Sequence, residues 1–400
     1  MTYRLDGLAG HFDDSWGMLV SGSLICQCLD LSALAVVEAQ VASGDAGGTA
    51  IAWVLPSVDT PDTRPPPCFG AGMDILVLGG TQWVGRVVSR EALERGHLVT
   101  CLARGVSGQV ADGAELVTAD RSRPDAYDAV KARRWDAVVE VSWQPGFVKA
   151  ALAAISAGHW TYVSSGNVYL RHDEPGADES AELQPTTHLE TVTREQYGPA
   201  KRVCEDASRE RYGDRLLVAR AGLIGGLGDH TGRSGAWVAR CARVPLGAVL
   251  IPSEPDMATQ VVDVRDLAAF LVDSFEKHIV GTFNAVGPVV PFSEWFALAR
   301  AAAQHDGQVV TAPSAWLVQQ GVEEYMGPGS LALWLADPAF SGWSRRSGAK
   351  ARAEGMHHRP RAQMVADLLE YERTMNLTIR NAGLTPEHEA ELLRLLLKPA

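Results

Sequence analysis

From residue 73 onward, short apolar runs alternate with stretches whose apolar residues follow helical spacing. Four of these runs are predicted to be buried strands: Ile75 to Leu78, Leu98 to Leu102, Ala137 to Val141 and Tyr162 to Ser164. Strands separated by helices pair in parallel, because a parallel connection must cross the sheet. The sequence therefore predicts an α/β fold, with a doubly wound parallel sheet and a smaller C-terminal α+β domain.

The 400 residues divide into three predicted segments. Residues 1–72 lack the alternation of strands and helices and end in VDTPDTRPPPCFGAG, which predicts an appended or poorly ordered N-terminal extension. Residues 73–230 are predicted to form the domain with the parallel sheet and the candidate site. Residues 231–400 are predicted to be mainly a substrate-binding domain, from which strands at about 259–290 return to the sheet.

Charge and cysteine content restrict the partners. The formal net charge of -12 disfavours a nucleic acid or an anionic membrane as the main partner, since both require an excess of Lys and Arg. The apolar stretch from Met18 to Val41 is interrupted by Gly22, Asp30 and Glu38, which disfavours a signal peptide or a membrane span. The six cysteines form no CxxC pair, so we expect a cytoplasmic protein without a metal site.

The glycine cluster LGGTQWVG, at 78–85, lies between the first predicted strand and a helix that should end at Gly96. Glycines at such a turn permit positive φ and let the backbone approach a pyrophosphate, which the free N–H groups at the helix start stabilise. Gln82 stands where a middle glycine is usual, so a simple helix-start turn is the alternative. The predicted dinucleotide contacts are Gly79, Gly80, Thr81, Gln82, Trp83, Val84 and Gly85.

The end of the second strand indicates which dinucleotide would bind. An acidic residue there binds the adenosine ribose of NAD, but this strand ends in Ala103 and Arg104. A guanidinium can hold a 2′-phosphate, so NADP is favoured over NAD, with a solvated loop arginine as the alternative. Asp120, after the strand-like run AELVTA, is predicted to bind the adenine.

A second constellation lies in the segment EQYGPAKRVCED. Tyr197 and Lys201 are four residues apart, and Pro199 is tolerated in a first turn, so both side chains should share one helical face. The ammonium would stabilise a phenolate, so Tyr197 could exchange a proton with a substrate oxygen while hydride passes to or from nicotinamide. Ser165, at the end of the fourth strand, could hydrogen-bond the same oxygen, although such serines more often shape a loop.

These motifs together resemble the short-chain dehydrogenase/reductase superfamily, in particular its extended and atypical branch, the NAD-dependent epimerase/dehydratase family. The resemblance runs from Met73 to about Leu397 and rests on six segments in the family's order: ILVLGGTQWVG, YVSSGNVY, YGPAKRVCE, VARAGLIGG, QVVDVRDLA and GTFNAVGP. It implies a Rossmann-type fold, a homodimer, and a pyrophosphate turn at Gly79, Gly80 and Gly85.

The resemblance also implies residue roles. Ser165 would position the substrate, Tyr197 would be the acid/base, and Lys201 would bind the nicotinamide ribose. Asp263 and Asp266 would be structural. The family's dehydratases carry an acidic pair after the catalytic hydroxyl, but Gly166 and Asn167 stand here, so reduction, oxidation or epimerisation is favoured over elimination of water.

The sequence therefore predicts an NAD(P)-dependent oxidoreductase or epimerase, acting by hydride transfer on a secondary alcohol or ketone of a small molecule, for which a sugar is one candidate. A cofactor-binding regulator without chemistry is an alternative, and an RNA-binding member of the atypical branch is a weaker one. Five arginines could meet a diphosphate or be structural: Arg220, Arg233, Arg240, Arg243 and Arg265. Five tryptophans could line a cleft or pack in the core: Trp237, Trp295, Trp316, Trp334 and Trp343.

Overall fold

The computed structural model describes residues 72–397, so the predicted extension at 1–72, except for its last residue, lies outside the described residues. The strands in chain order are β1 (Asp74–Leu78), β2 (Leu98–Ala103), β3 (Glu115–Thr118), β4 (Arg134–Glu140), β5 (Ser156–Ser165), β6 (Leu216–Ala221), β7 (Leu223–Gly225), β8 (Val249–Pro252), β9 (Ala258–Thr259), β10 (Val261–Asp263), β11 (Gly281–Ala285), β12 (Val290–Pro291), β13 (Val309–Ala312), β14 (Glu323–Tyr325) and β15 (Ser330–Ala332).

The α-helices in chain order are α1 (Trp83–Glu94), α2 (Pro145–Ala154), α3 (Tyr197–Tyr212), α4 (Ala236–Arg243), α5 (Val264–Glu276), α6 (Phe292–Ala303), α7 (Ser314–Gln319), α8 (Ala349–Ala353), α9 (Arg361–Thr374) and α10 (Pro386–Leu396). Short 3₁₀ helices lie at Gly166–Val168, Arg194–Gln196, Gly213–Arg215 and Pro338–Phe340.

Seven of the strands form one parallel sheet in the order β11-β6-β5-β4-β1-β2-β3. The chain runs outward from β1 through β2 to β3 and then returns to β4 on the other side of β1. Strand order therefore reverses between β1 and β4, and in open α/β sheets ligands bind in the crevice outside the carboxyl ends of the strands at such a point. The predicted Rossmann-type α/β fold is confirmed.

The sheet is buried on both faces, as its apolar strands predict. Successive residues of β1 alternate between two hydrophobic clusters: Ile75 and Val77 pack with α1 and α5 residues on one face, and Leu76 and Leu78 pack with α2 and α3 residues on the other. All four side chains are fully buried. This double covering fixes the sheet rigidly beneath its carboxyl edge.

The helix ends show which local signals were sufficient. Gly96, predicted to end the first helix, has φ +88 and donates its N–H to the carbonyl of Leu93. Thr385 caps α10 by accepting from the N–H of His388. Ser293 precedes an amphipathic run and is a residue type that favours N-caps, but α6 begins one residue earlier, at Phe292, whose N–H donates to the carbonyl of Met257.

The C-terminal half contributes both to the sheet and to a separate hydrophobic cluster. β11 (Gly281–Ala285) pairs with β6, so a strand from the predicted 259–290 region lies in the central sheet. The other cluster gathers residues of α4, α6, α9 and the paired strands β8 and β13. Asp263 caps α5 by accepting from the N–H of Arg265. The domain boundary at residue 230 stays a prediction.

Candidate functional site

A cavity of about 780 Å³ opens at the carboxyl ends of the central strands. Its wall combines the start of α1, the ends of β4, β5 and β6, the start of α3 and several C-terminal loops. The residues predicted for the site that line it are Gln82, Trp83, Val84, Gly85, Ser165, Tyr197 and Lys201. Two motifs that are more than a hundred residues apart in the sequence therefore meet in one cavity.

The glycine turn is built so closely that side chains would not fit. Gly79 has φ +109, and a Cβ on Gly80 would lie 2.2 Å from Sγ of Cys101. A Cβ on Gly85 would lie 2.5 Å from the carbonyl oxygen of Gly79. Gln82 caps α1 without a side-chain hydrogen bond, which leaves the first-turn N–H groups available to an anion. The turn thus fits a pyrophosphate, although Gly79, Gly80 and Thr81 do not themselves line the cavity.

Lys201 is held at the strand ends beside Tyr197. Its side chain is buried, and its Nζ donates to the carbonyl oxygens of Val163 at 2.5 Å, Ser142 at 3.1 Å and Val141 at 3.4 Å. The same Nζ lies 6.0 Å from the centre of the Tyr197 ring. Tyr197 itself is partly exposed, and its ring packs against Trp143 with 5.5 Å between ring centres. The phenol therefore faces the cavity with a cation close behind it.

Ser165 is the last residue of β5, and its hydroxyl already has local partners. Its Oγ donates to Oδ1 of Asn167 at 2.9 Å and accepts from the N–H of Asn167 at 3.2 Å, which caps the 3₁₀ helix that follows. Ser164 donates instead to the buried carboxylate of Glu205, at 2.6 Å. Both serines line the cavity, but the Ser164 hydroxyl is buried and held by a carboxylate, so Ser165 is the member of the pair more available to a ligand.

Gly198 explains why the serine and the tyrosine meet. A Cβ at this position would lie 2.4 Å from the carbonyl oxygen of Asn167 and 2.8 Å from Nε2 of Gln184. That amide nitrogen donates to the same carbonyl at 3.0 Å. A glycine in the first turn of α3 therefore lets the helix start directly against the loop that follows Ser165.

Arg104 and Asp120 follow β2 and β3 and do not line the cavity. The Asp120 carboxylate accepts from the backbone N–H of Ser122 at 3.0 Å and from its hydroxyl at 2.8 Å. These two hydrogen bonds hold the pKa of Asp120 below its usual value. Arg104 is exposed. Both residues lie at the carboxyl edge of the sheet beyond β1, away from the tyrosine.

Most of the arginines and tryptophans proposed for a substrate site are structural. Arg220 pairs with Glu205 at 2.8 Å, Arg265 pairs with Asp263 at 2.8 Å, and Arg240 pairs with Glu389. Arg243 donates to the carbonyl of Leu377 at 2.7 Å. Only Arg233 and Trp343 of the two predicted sets line the cavity, whereas Trp237, Trp295, Trp334 and Trp316 belong to or pack against the C-terminal core cluster.

Sequence reasoning missed several cavity residues: Trp143, His172, Arg194, Gln260, Tyr325 and Arg346. Gln260 opens the segment QVVDVRDLA but had no predicted role, and the other five belong to no motif, so only the fold brings the six residues together. Burial, followed by the positive charge of Arg346, lowers the pKa of His172 to about 4. His172 is therefore neutral at neutral pH.

The described residues contain neither a metal-binding cluster nor a membrane-spanning helix. Within 72–397, no cluster of three or more His, Cys, Asp or Glu residues is placed to hold a metal ion. No helix in this range combines the length and apolar character needed to cross a membrane.

Comparison with known proteins identifies relatives of this architecture. The model of the NAD dependent epimerase/dehydratase family matches residues 75–285. No curated protein matches the sequence. Among solved structures, a Burkholderia cenocepacia J2315 protein assigned as an epimerase is 20% identical, with a TM-score of 0.59 over 76% of this chain and 99% of that one.

Two further structures have bound ligands. UDP-glucose 4-epimerase from Thermotoga maritima, determined with UDP-glucose, is 17% identical, with a TM-score of 0.54 over 76% of this chain and 100% of that one. WbmG of Bordetella bronchiseptica, determined in complex with NAD, is 16% identical, with a TM-score of 0.55 over 78% of this chain and 97% of that one. At identities this low, the likeness shows a shared fold alone.

Proposed function

The chain belongs to the NAD-dependent epimerase/dehydratase family, and on that premise we propose that it is an NAD(P)-dependent oxidoreductase or epimerase acting by hydride transfer on a secondary alcohol or ketone. The observation that carries the proposal is that the end of the glycine turn, Gln82 to Gly85, borders a single cavity together with Ser165, Tyr197 and Lys201, at the switch point of a parallel sheet. The UDP-glucose bound to the Thermotoga maritima neighbour supports a small-molecule substrate, for which a sugar is one candidate.

The dinucleotide would be held by the glycine turn. Gly79, Gly80 and Gly85 leave no room for a Cβ, and Gln82 to Gly85 present the uncapped start of α1 to the cavity. Thr81, in the same turn, is buried. When bound, nicotinamide would supply the hydride acceptor for a carbinol or the donor for a carbonyl.

Tyr197 would transfer the proton. Its phenol faces the cavity, so it can take a proton from a substrate hydroxyl or give one to a substrate carbonyl. The buried ammonium of Lys201 would stabilise the phenolate formed in the first case. All three Lys201 donors have carbonyl partners, so binding a ribose hydroxyl would replace the longest contact, the one to Val141 at 3.4 Å.

Ser165 would orient the reacting oxygen. Its hydroxyl is part of a cap with Asn167, so it would turn from Oδ1 of Asn167 to the substrate while still accepting from the Asn167 N–H. Such a rotation changes one hydrogen bond for another and leaves the backbone in place. The first residue of the following 3₁₀ helix, Gly166, does not supply a carboxylate that could act in elimination of water.

NADP is the proposed cofactor in preference to NAD, with Arg104 as the 2′-phosphate ligand and Asp120 near the adenine. Arg104 follows β2 and is exposed, so burial does not restrict the orientation of its guanidinium. Titration of the full chain with NADPH and with NADH, followed by nicotinamide fluorescence, tests this choice. We expect NADPH to bind about tenfold more tightly than NADH, and we expect this difference to vanish in Arg104→Ala. The control is Arg123→Ala, which changes an exposed arginine in the loop after β3 and should keep the difference.

Failure of both dinucleotides to bind would contradict the proposed function. Tight binding without turnover of any alcohol or ketone would favour the regulator. A homodimer, proposed from the resemblance, is tested by light scattering.

A further inference from the structure

The cavity is strongly biased in charge. Among the described residues that line it are four basic side chains, Arg194, Lys201, Arg233 and Arg346, and no aspartate or glutamate. The chain as a whole has a formal net charge of -12, so this local excess runs against the composition. Low-dielectric walls strengthen such a field, which draws anions into the cleft.

Arg346 is the most unusual of the four, because it is buried without an anionic partner. Its side chain is 4% exposed. Nη2 donates to the carbonyl of Arg171 at 2.9 Å and to Nδ1 of His172 at 2.7 Å, while Nε and Nη1 have no hydrogen-bond partner among the described residues. The guanidinium carbon lies 4.0 Å from the centre of the Tyr169 ring. A buried cation in this position is normally matched by an anion.

Neither the Tyr169 ring nor His172 carries a negative charge that would neutralise Arg346. His172 is neutral at neutral pH and accepts from the guanidinium, and its ring packs against those of Phe340 and Trp343 at centre distances of 5.8 and 4.7 Å. Burial also lowers the pKa of Arg346, as expected for an uncompensated cation. Two hydrogen bonds thus hold the guanidinium at the cavity wall, and its remaining donors have no partner among the described residues.

The guanidinium lies beside the loop that follows β5. Nε lies 3.8 Å from where a Cβ on Gly166 would stand, and Gly166 directly follows Ser165. An anion bound by Arg346 would therefore lie in the same cavity as Ser165 and Tyr197, near the end of β5.

We propose that Arg346, positioned by His172, is a subsite for a small oxyanion carried by the substrate, either a carboxylate or a phosphate monoester. That this oxyanion belongs to the substrate rests on the proposed function. The anion subsite itself depends only on the arginine and the cavity.

The test is a ligand titration of the full chain, read as a change in tryptophan fluorescence, since Trp83, Trp143 and Trp343 line the cavity. The probes are glucuronate, inorganic phosphate and, as an uncharged control, glucose. We expect at least one anion to bind saturably and glucose to bind far more weakly. Saturation by glucuronate alone assigns a carboxylate, and saturation by phosphate alone assigns a phosphate ester. We expect Arg346→Met to weaken binding about tenfold to a hundredfold, because a charge-assisted hydrogen bond is lost.

The matched control is Arg361→Met. Arg361 is also an arginine whose pKa burial lowers and whose Nη2 has no partner among the described residues, but it lies outside the cavity wall. This variant should bind the anion as the wild type does. Arg346→Lys keeps the charge and should bind between the two, which retains a test if the methionine variant fails to fold.

Equal anion affinity in the wild type and Arg346→Met, or no saturable binding of either anion, overturns the subsite. NADPH binding is measured on the same samples. If the anion test fails while NADPH binds normally, this inference alone is refuted. If NADPH does not bind, the proposed function is refuted.

Discussion

Gly198→Ala tests whether close contact between α3 and the loop after β5 brings the candidate site together. The added methyl group would lie 2.4 Å from the carbonyl oxygen of Asn167 and 2.8 Å from Nε2 of Gln184, so the helix start or the loop must shift. Overpacking of this kind costs about 1–3 kcal/mol. The higher helix propensity of alanine returns at most about 1 kcal/mol, and less in a first turn. We therefore expect a net loss of about 1–2 kcal/mol in the free energy of unfolding.

The shift should also reduce catalysis. Tyr197 adjoins Gly198 and Ser165 precedes the displaced loop, and a misplacement of about 1 Å can cost about a hundredfold in rate. Thermal unfolding by circular dichroism measures the first effect, and turnover with an accepted alcohol measures the second.

Gly166→Ala is the stability control. A Cβ there would meet its nearest atoms, the carbonyl of Ala221 and Nε of Arg346, at an ordinary 3.8 Å, in the same loop. We expect its unfolding free energy to stay within about 0.5 kcal/mol of the wild type. If Gly198→Ala is as stable as this control and keeps full turnover, the close contact does not assemble the site.

Two further predictions concern the cofactor turn and the acid stability of the sheet. Trp83→Phe removes the 2.9 Å hydrogen bond from the indole N–H to the carbonyl of Leu227, and stopped-flow fluorescence should show NADPH release about three- to tenfold faster; an unchanged rate would mean that this bond does not hold the turn. Burial lowers the pKa of His159 to about 4. Below about pH 6.5 this histidine is therefore protonated in the unfolded chain but not in the folded chain, so the free energy of unfolding falls as the pH drops from about 6.5 to 4. Between pH 7 and 5 this loss should be about 2 kcal/mol in the wild type, and denaturant titrations should show it reduced by that amount in His159→Leu; equal losses in both proteins would exclude His159 as its source.

Local signals were enough to predict much of the fold. The apolar run Ile75 to Leu78 and the glycine at 96 predict β1 and the end of α1, because a buried parallel strand and a positive-φ helix end each demand particular residue types. The strand β5 is longer than predicted, Ser156–Ser165 instead of Tyr162 to Ser164, because Gly158 and His159 do not resemble a strand in sequence. A Cβ on Gly158 would lie 2.8 Å from the carbonyl of Asp136, a tertiary contact that no local pattern contains.

The residues of the candidate site likewise fall into those that local sequence motifs predict and those that only the fold brings in. Ser165, Tyr197 and the glycine turn lie in motifs whose spacing reflects one strand end or one helix turn. Arg346 lies in the segment SRRSGAKA, which has no such spacing, and only the return of the C-terminal loops to the sheet brings it to the cavity. The five proposed substrate arginines could not be sorted from sequence, because the carboxylates that pair with most of them, such as Glu205 for Arg220, are identified only by the packing.

The proposed role of Tyr197 as the proton carrier is tested most directly by the turnover of Tyr197→Phe. Turnover is measured as NADP⁺ reduction with a panel of secondary alcohols, and NADPH affinity is measured on the same preparation. The phenol is the proposed proton carrier, so we expect turnover to fall at least about a hundredfold while NADPH affinity stays within about twofold. Tyr371→Phe, which removes a phenol outside the cavity wall, should leave both unchanged. Wild-type turnover in Tyr197→Phe with intact NADPH binding would contradict the proposed role of this tyrosine.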